Sequence, residues 1–458
     1  GQNSGMDPTE QNYSVSNFNS NFIQKGEHNK LEENYDKEMQ DVSNKEHNYG
    51  ESVMAKSKAS ALDLRAQSMS NSYPHQSTFL QDSGSKIKIL QSSSEKTLKV
   101  AWNPKNHYLA FGGDKEKAYL WNMDENIENA ELIDNLPHIS PELTNNSMMP
   151  DKAMITAVDW KPDGSMFITA ATDGIWRLWD HKGSLNSIMY NENSMPLKSK
   201  EPTGSGSYGA NDGSQSHALS PEDIDSIYDW KWNKDGSAIV TVSEKNNVIL
   251  WNTEGKLRHS YQGHTESVLW LDWKNNNVFA TGSQDGVIKI WDVQSSSAIK
   301  TYTGHDNNIK CLKWDHAGAL LASGSEDWTI KIWSQKHDKP IFSFNENKEM
   351  IHSLKWSPTG LGTSLENVDI RLASWSADGT IKIWNVNEGK WVDTLLGHNG
   401  MVMCLDYDPT YKYLASGDDS GRIIIWSVKD GTIVKTFENK NRQCIFDCQW
   451  THYGLMLA

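Results

Sequence analysis

Two residue types recur in this 458-residue chain in a pattern that could do chemistry. A histidine follows glycine at His264, His305 and His398, and an aspartate stands six residues before a tryptophan at Asp173, Asp285, Asp327 and Asp378. An imidazole oriented by a carboxylate can serve as a general base or, with further ligands, hold a metal. Both residues return once per repeat, however, and no third convergent group accompanies them, so the expected role is structural. The four cysteines, Cys311, Cys404, Cys444 and Cys448, lack the paired spacing of a zinc site or a disulfide framework. Three of them (311, 404 and 448) are expected in strands as small core residues of a protein from a reducing compartment. Gly204, Gly206 and Gly209 match the dinucleotide fingerprint literally, but no strand precedes them and no amphipathic helix follows. No Gly-x-Ser-x-Gly elbow, His-Glu-x-x-His motif or phosphate-binding loop occurs. The expectation is a protein without catalytic activity, cofactor or metal.

The elements that carry these residues follow from an internal repeat. Short β-rich runs end in Trp121, Trp179, Trp251, Trp291, Trp333, Trp384 and Trp426. The tightest spacings are 40 to 42 residues, the period of a four-stranded propeller blade. Each unit has an alternating strand such as IKCLKW (309–314), a turn such as KPDG (161–164), a small-residue strand such as LASGS (321–325), an Asp turn, the Trp-ending strand and a polar outer strand. Ala, Ser and Gly in the inner strands let neighbouring blades approach. Counting the first strands, from VAW (100–102) to CQW (448–450), gives eight. The predicted fold is all-β: an eight-bladed WD40 β-propeller over 85–458, with its last blade incomplete in this chain. KIKIL (86–90) is expected as the outer strand of the eighth blade. Inserts are expected at 123–152, 181–225 and 361–370.

Residues 1–84 contain none of the 20 tryptophans and are rich in Asn, Ser, Gln and Glu. Such a segment buries too little apolar surface to offset chain entropy and reads as disordered. It holds 7 Lys/Arg against 12 Asp/Glu, or −5 of the total −15, leaving −10 for residues 85–458. An acidic folded part favours basic partners such as histone tails over naked nucleic acid, although mild acidity also keeps a protein soluble. No apolar run is long enough to cross a bilayer. Sequons at Asn12 and Asn145 carry little weight.

In WD repeats the turn aspartate hydrogen-bonds the Gly-His imidazole. That resemblance pairs His264 with Asp285, His305 with Asp327 and His398 with the Asp419–Ser420 region, with Trp291, Trp333, Trp384 and Trp426 as the structural tryptophans. Where the repeat decays, Glu346 stands for the His, and Lys245 and Lys115 stand for the Asp.

One segment is more specific. LKWSPTGLGTSLENVDIRLASWSADGTIKIWNV (354–386) resembles the sixth repeat of transducin β-like corepressor subunits, with its SPTG-x-GT excursion. The resemblance runs over roughly 86–458. It implies a nuclear scaffold in an assembly with a class I histone deacetylase and a large corepressor scaffold protein, binding of histone tails, and recruitment of ubiquitin ligase machinery. The family's N-terminal LisH dimerisation segment is not recognisable in 1–84, and the 181–225 linker is longer than expected. A generic cytoplasmic WD40 adaptor is the alternative reading.

A partner is expected at the channel mouth. The residue four before each closing aromatic is placed on the aromatic's face by strand alternation: Leu98, Thr156, Tyr228, Leu269, Lys310, His352, Met403 and Phe446. Just before the turn Asp or its equivalent lie Asp114, Thr172, Glu244, Gln284, Glu326, Ala377 and Asp419. An aromatic mouth ringed by carboxylates suits an inserted Lys or Arg.

Overall fold

The computed structural model describes residues 90, 97–113, 117–123, 130–138, 154–171, 175–189, 225–438, 442–452, 454 and 457–458. All of these belong to the compact unit formed by 84–458. The expectations for 1–84, KIKIL up to Ile89, Asp114, Lys115, Thr172, Asp173 and Gly204–Gly209 lie outside the described residues.

The described residues form seven antiparallel sheets of four strands each, spanning 97–137, 155–189, 227–261, 268–302, 309–344, 351–395 and 402–438, here blades 1 to 7. Within each sheet the strands pair in chain order. The alternation seen in the sequence becomes burial. In Ile309–Trp314, for example, Ile309, Cys311, Leu312 and Trp314 are buried, whereas Lys310 and Lys313 are half-exposed. The second strands are buried almost throughout, as in Leu321–Ser325, and their small residues are the reason blades can touch. A Cβ on Gly282 would lie 2.6 Å from the Ile309 side chain of the next blade. Gly417 is likewise blocked by Ile445.

The eight-bladed expectation is overturned: the sheets number seven. The CQW segment resembles a first strand in sequence but forms no ladder. Its residues contribute one isolated bridge, Trp450 to Leu457, with reciprocal backbone bonds between Gln449 and Ala458 at 3.0 Å. Its remaining backbone donors go to carboxylates instead, Trp450 N to Asp406 at 2.8 Å and Cys448 N to Asp447 at 3.1 Å. Counting first strands therefore counted a segment that resembles one in sequence but forms no ladder among the described residues. Cys448 is accordingly buried but outside any strand, whereas Cys311 and Cys404 lie in first strands.

Two of the expected inserts are partly blade. Ala130–Pro137 is the fourth strand of blade 1, and Leu185–Met189 that of blade 2. Outer strands face solvent on one side and carry little apolar pattern, so their sequences read as loops. The 361–370 excursion is a series of turns, with Gly360 and Leu365 exchanging a 3.0 Å backbone bond.

Candidate functional site: the channel mouth and the ties that hold it

The histidines and aspartates of the repeat form hydrogen-bonded relays within the blades. In blade 4 the Trp291 indole N–H donates to Thr281 Oγ1 (2.8 Å), the Thr281 hydroxyl meets His264 Nε2 (2.8 Å), and His264 Nδ1 meets Asp285 Oδ2 (2.9 Å). Blade 5 repeats the relay with Trp333, Ser323, His305 and Asp327, and blade 7 with Trp426, Ser416 and His398. Every polar atom in these relays is satisfied by a neutral imidazole that donates from Nδ1. Burial pushes the His305 and His398 pKa down, against the pull of their aspartates. The His264 and His305 side chains have no exposed surface, so neither imidazole can reach a substrate. Among the described residues no three His, Cys, Asp or Glu side chains gather as a metal site requires.

Two expectations for these ties are corrected. His398 pairs with Asp418, at 2.7 Å, and not with the Asp419–Ser420 region. Asp418 takes both roles in blade 7, because its other oxygen also caps the turn through Ser420 N and Arg422 N. In blade 6 the histidine position, nine residues before the closing aromatic, holds Asn347 and not Glu346. Asn347 is buried, and neither its amide nitrogen nor its oxygen has a partner. Asp378, left without an imidazole, caps its own turn through Thr380, while Trp384 still donates to Ser374 at 2.8 Å.

Blades 2 and 3 use substitutes. His138 Nε2 meets Thr169 at 2.7 Å, and Arg177 occupies the far side of the ring, 2.8 Å from Nδ1. Burial, followed by the Arg177 charge, holds the His138 pKa well below the usual imidazole range. In blade 3, Lys245 at the expected aspartate position donates its backbone N–H to Asp225 at 2.9 Å. The same Asp225 accepts from Ser243 and Asn247.

The nominated mouth residues share one backbone feature. In blades 1 to 7, Leu98, Thr156, Tyr228, Leu269, Lys310, His352 and Met403 each sit at the register shift between the first and second strands. A β-bulge leaves one residue unpaired and re-aims its side chain. All seven are half-exposed or exposed, whereas the closing aromatics are buried. The alternation argument thus failed, because a bulge breaks the two-residue period, but it led to the unpaired residue of every strand. Phe446 is half-exposed in the non-ladder segment.

The residues nominated for the mouth carry both charges. Lys310 Nζ lies 3.2 Å from Glu326, which also accepts from Asn308 at 2.9 Å, so Glu326 is not an unengaged carboxylate. Burial, then Lys310 and Lys99, push the His352 pKa down. Tyr228 is 48% exposed, and burial followed by the Glu244 and Asp225 charges raises its pKa. Glu244 and Asp419 are exposed.

Further in lies a feature that sequence reasoning missed. The residue before each closing aromatic reads Asp159, Lys231, Asp272, Lys313, Lys355 and Asp406 in blades 2 to 7. Lys231 bonds Asp272 at 2.6 Å, and Lys355 bonds Asp406 at 2.7 Å. Asp272 also accepts from Trp314 N of the next blade at 2.6 Å. Burial opposes its ionisation, but Lys231 and Lys313 outweigh that and lower its pKa. Burial raises Asp159 to about 6. The near-alternation of Asp and Lys one residue before the aromatic was the available signal.

The turn between the second and third strands shows another departure. Five residues before the closing Trp, blades 4, 6 and 7 place Gly286, Gly379 and Gly421 at φ of 71°, 77° and 85°, and blade 3 places Asn246 at 62°. Blade 5 places Trp328 there at φ 69°. A residue with a Cβ costs about 1–2 kcal/mol in this conformation.

Comparison with known proteins agrees with this architecture. The family model "WD domain, G-beta repeat" matches residues 147–180, 255–292, 296–334, 338–385 and 389–427. The mouse F-box-like/WD repeat-containing protein TBL1X is 31% identical over 238 residues, 52% of this chain and 39% of that protein. Human TBL1Y is 29% identical over 236 residues, 51% of this chain and 39% of that protein. The WD40 repeat-containing protein HOS15 of Arabidopsis thaliana is 31% identical over 242 residues, 52% of this chain and 34% of that protein. The matched region thus spans less than two fifths of these relatives. Among solved structures, the C-terminal WD40 domain of Sif2 superimposes with a TM-score of 0.62 at 20% identity, over 81% of this chain and 95% of that one. The computationally designed Ika8 protein gives 0.59 at 17% identity, over 78% of this chain and 92% of that one. These two likenesses speak to the fold alone. Five WD repeats are thus matched within this propeller-like chain, and the F-box-like/WD repeat-containing proteins TBL1X and TBL1Y are among the proteins it is similar to.

Proposed function

We propose that this chain is a nuclear scaffold subunit of a transcriptional corepressor assembly, and that its channel mouth grips basic peptides such as histone tails. The carrying observation is the mouth itself. Seven bulged side chains stand at one end of seven consecutive sheets, with Tyr228 beside Glu244 and the Asp419 carboxylate exposed. An aromatic face and carboxylates together favour a lysine or arginine. The propeller fold and the TBL1X and TBL1Y homologues support a scaffold in multiprotein assemblies. The resemblance of the sixth repeat supports the finer reading, with a class I histone deacetylase, a large corepressor scaffold protein and ubiquitin ligase machinery as partners.

Two measurements test it. Calorimetric titration of an unmodified histone-tail peptide should show binding that weakens when Tyr228→Ala is combined with Phe446→Ala, with the melting temperature nearly unchanged. Equal affinity for the double variant removes the mouth as the site. Purification of the tagged chain from nuclear extract should bring down deacetylase activity, and its absence removes the assembly reading.

A further inference from the structure

The turn of blade 5 holds a large, half-exposed side chain on a strained backbone, with Trp328 at φ 69°. Trp328 closes the same turn as its counterparts. Its N–H bonds Ser325 O at 3.2 Å, as Gly286 bonds Ser283 at 3.2 Å and Gly379 bonds Ser376 at 3.1 Å. The backbone geometry is therefore set by the repeat, and the residue that suits it is glycine. Tryptophan is only half covered in return. It is 50% exposed, and among the described residues its ring stacks on no other aromatic and its indole N–H has no recorded acceptor.

Strain retained at an exposed position points to use by a partner. The surroundings identify the chemistry. The register pairs Ile309 with Ser325, which puts this turn at the mouth end of the blade beside Lys310 and Glu326. Asp306, exposed in the preceding loop, donates its backbone N–H to Asp327 at 3.1 Å and so stands next to the turn. Lys310 is already engaged by Glu326. An exposed indole with the exposed Asp306 in the adjoining loop suits a cation better than an anion.

We infer that Trp328 is an aromatic anchor on the rim of blade 5, stacking on a lysine or arginine side chain of a bound basic peptide. This deepens the mouth-binding reading and rests on it. It extends the contact surface outward from the bulged ring onto the turn between the second and third strands.

The test compares the full chain with Trp328→Gly and Trp328→Phe. Each is titrated calorimetrically with an unmodified Lys/Arg-rich histone-tail peptide and with the same peptide carrying norleucine in place of every Lys and Arg. Trp328→Gly should bind the basic peptide roughly five- to tenfold more weakly, Trp328→Phe should retain most of the affinity, and the norleucine peptide should bind neither tightly nor in a Trp328-dependent way. The unfolding midpoint of Trp328→Gly should stay the same or rise, since the strain is released. Equal affinity of wild type and Trp328→Gly for the basic peptide overturns the anchor while leaving the mouth reading standing. Trp328-dependent binding of the norleucine peptide also overturns it, in favour of a purely apolar contact. Absence of any binding by the wild type overturns both readings.

Discussion

Trp102 and Gln449, 347 positions apart in the chain, are joined twice: the Gln449 side-chain oxygen accepts the Trp102 backbone N–H at 2.8 Å, and its backbone carbonyl accepts the Trp102 indole N–H at 3.1 Å. The second bond has the form used between consecutive blades. Trp160 donates its indole N–H to Ala101 O at 3.0 Å, Trp273 to Lys231 O at 3.0 Å, and Trp356 to Lys313 O at 2.9 Å. The segment that forms no sheet is nevertheless bonded on one side to blade 7, through Asp406, and on the other to blade 1.

The seam should therefore weaken when its donor is removed. Trp102→Phe keeps an aromatic ring but takes away the indole N–H, leaving the Gln449 carbonyl with the Ala458 N–H alone. A loss of about 1 kcal/mol is expected, measured by urea unfolding, together with faster proteolysis within 443–458. Unchanged stability and cleavage would mean that the segment is held by its apolar contacts alone.

Blade 6 offers the opposite experiment. Asn347 occupies the histidine position with both amide atoms buried and unpartnered. Asn347→His would place an imidazole where Ser374 and Asp378 already stand as in the complete relays. A gain of about 1 kcal/mol is expected, read as a raised urea midpoint. A lowered midpoint would show that the space does not admit the ring.

Acid should act on the relays in two stages. The folded pKa values of His305 and His398 lie below their unfolded value because burial disfavours the imidazolium. Their contribution to stability is complete above about pH 6.5 and is lost as the pH falls from there through the folded values. Asp285, Asp327 and Asp418 keep lowered pKa values through hydrogen bonds and their imidazole partners, which outweigh the burial that works against ionisation. Their contribution persists until the pH falls below the ordinary carboxylate value and is lost only beneath it. Thermal unfolding from pH 8 to pH 3 should show a first decline starting near pH 6.5. His305→Gln together with His398→Gln should be less stable at pH 8 and show a shallower first decline, the remainder coming from other buried histidines such as His138 and His352.

Asp159 should behave in the reverse sense. Burial raises its pKa to about 6, so folding favours the protonated acid and the cost of ionisation is fully present above that pH. Asp159→Asn should stabilise the protein by about 1–2 kcal/mol at pH 7.5 and make no difference near pH 3.5. Equal effects of Asp159→Asn at both pH values would show that the carboxylate stays ionised at no cost.

The period of the tryptophans, the small residues of the second strands and the Gly-His and Asp positions were legible because they are local. Each follows from what one blade must do, and a single chain repeats it. The two corrections to the relays have different origins. In blade 7 Asp418 sits two residues earlier than the rule placed the aspartate, and only the fold shows a carboxylate reaching the ring from there. In blade 6 Asn347 was missed by one position, because without Gly-His the spacing has to be counted back from Trp356.

The sequence by itself determined that the chain is built of WD repeats, since hydrophobic period and turn chemistry act over a few residues at a time. The number of sheets among the described residues, the bulges at Tyr228 and Lys310, the Asp–Lys pairing between first strands and the seam through Gln449 were decided by tertiary structure alone. Each depends on which strand finds a ladder partner and which charge finds its opposite across a blade boundary, and those encounters are set by distances in space that the linear order of residues does not contain.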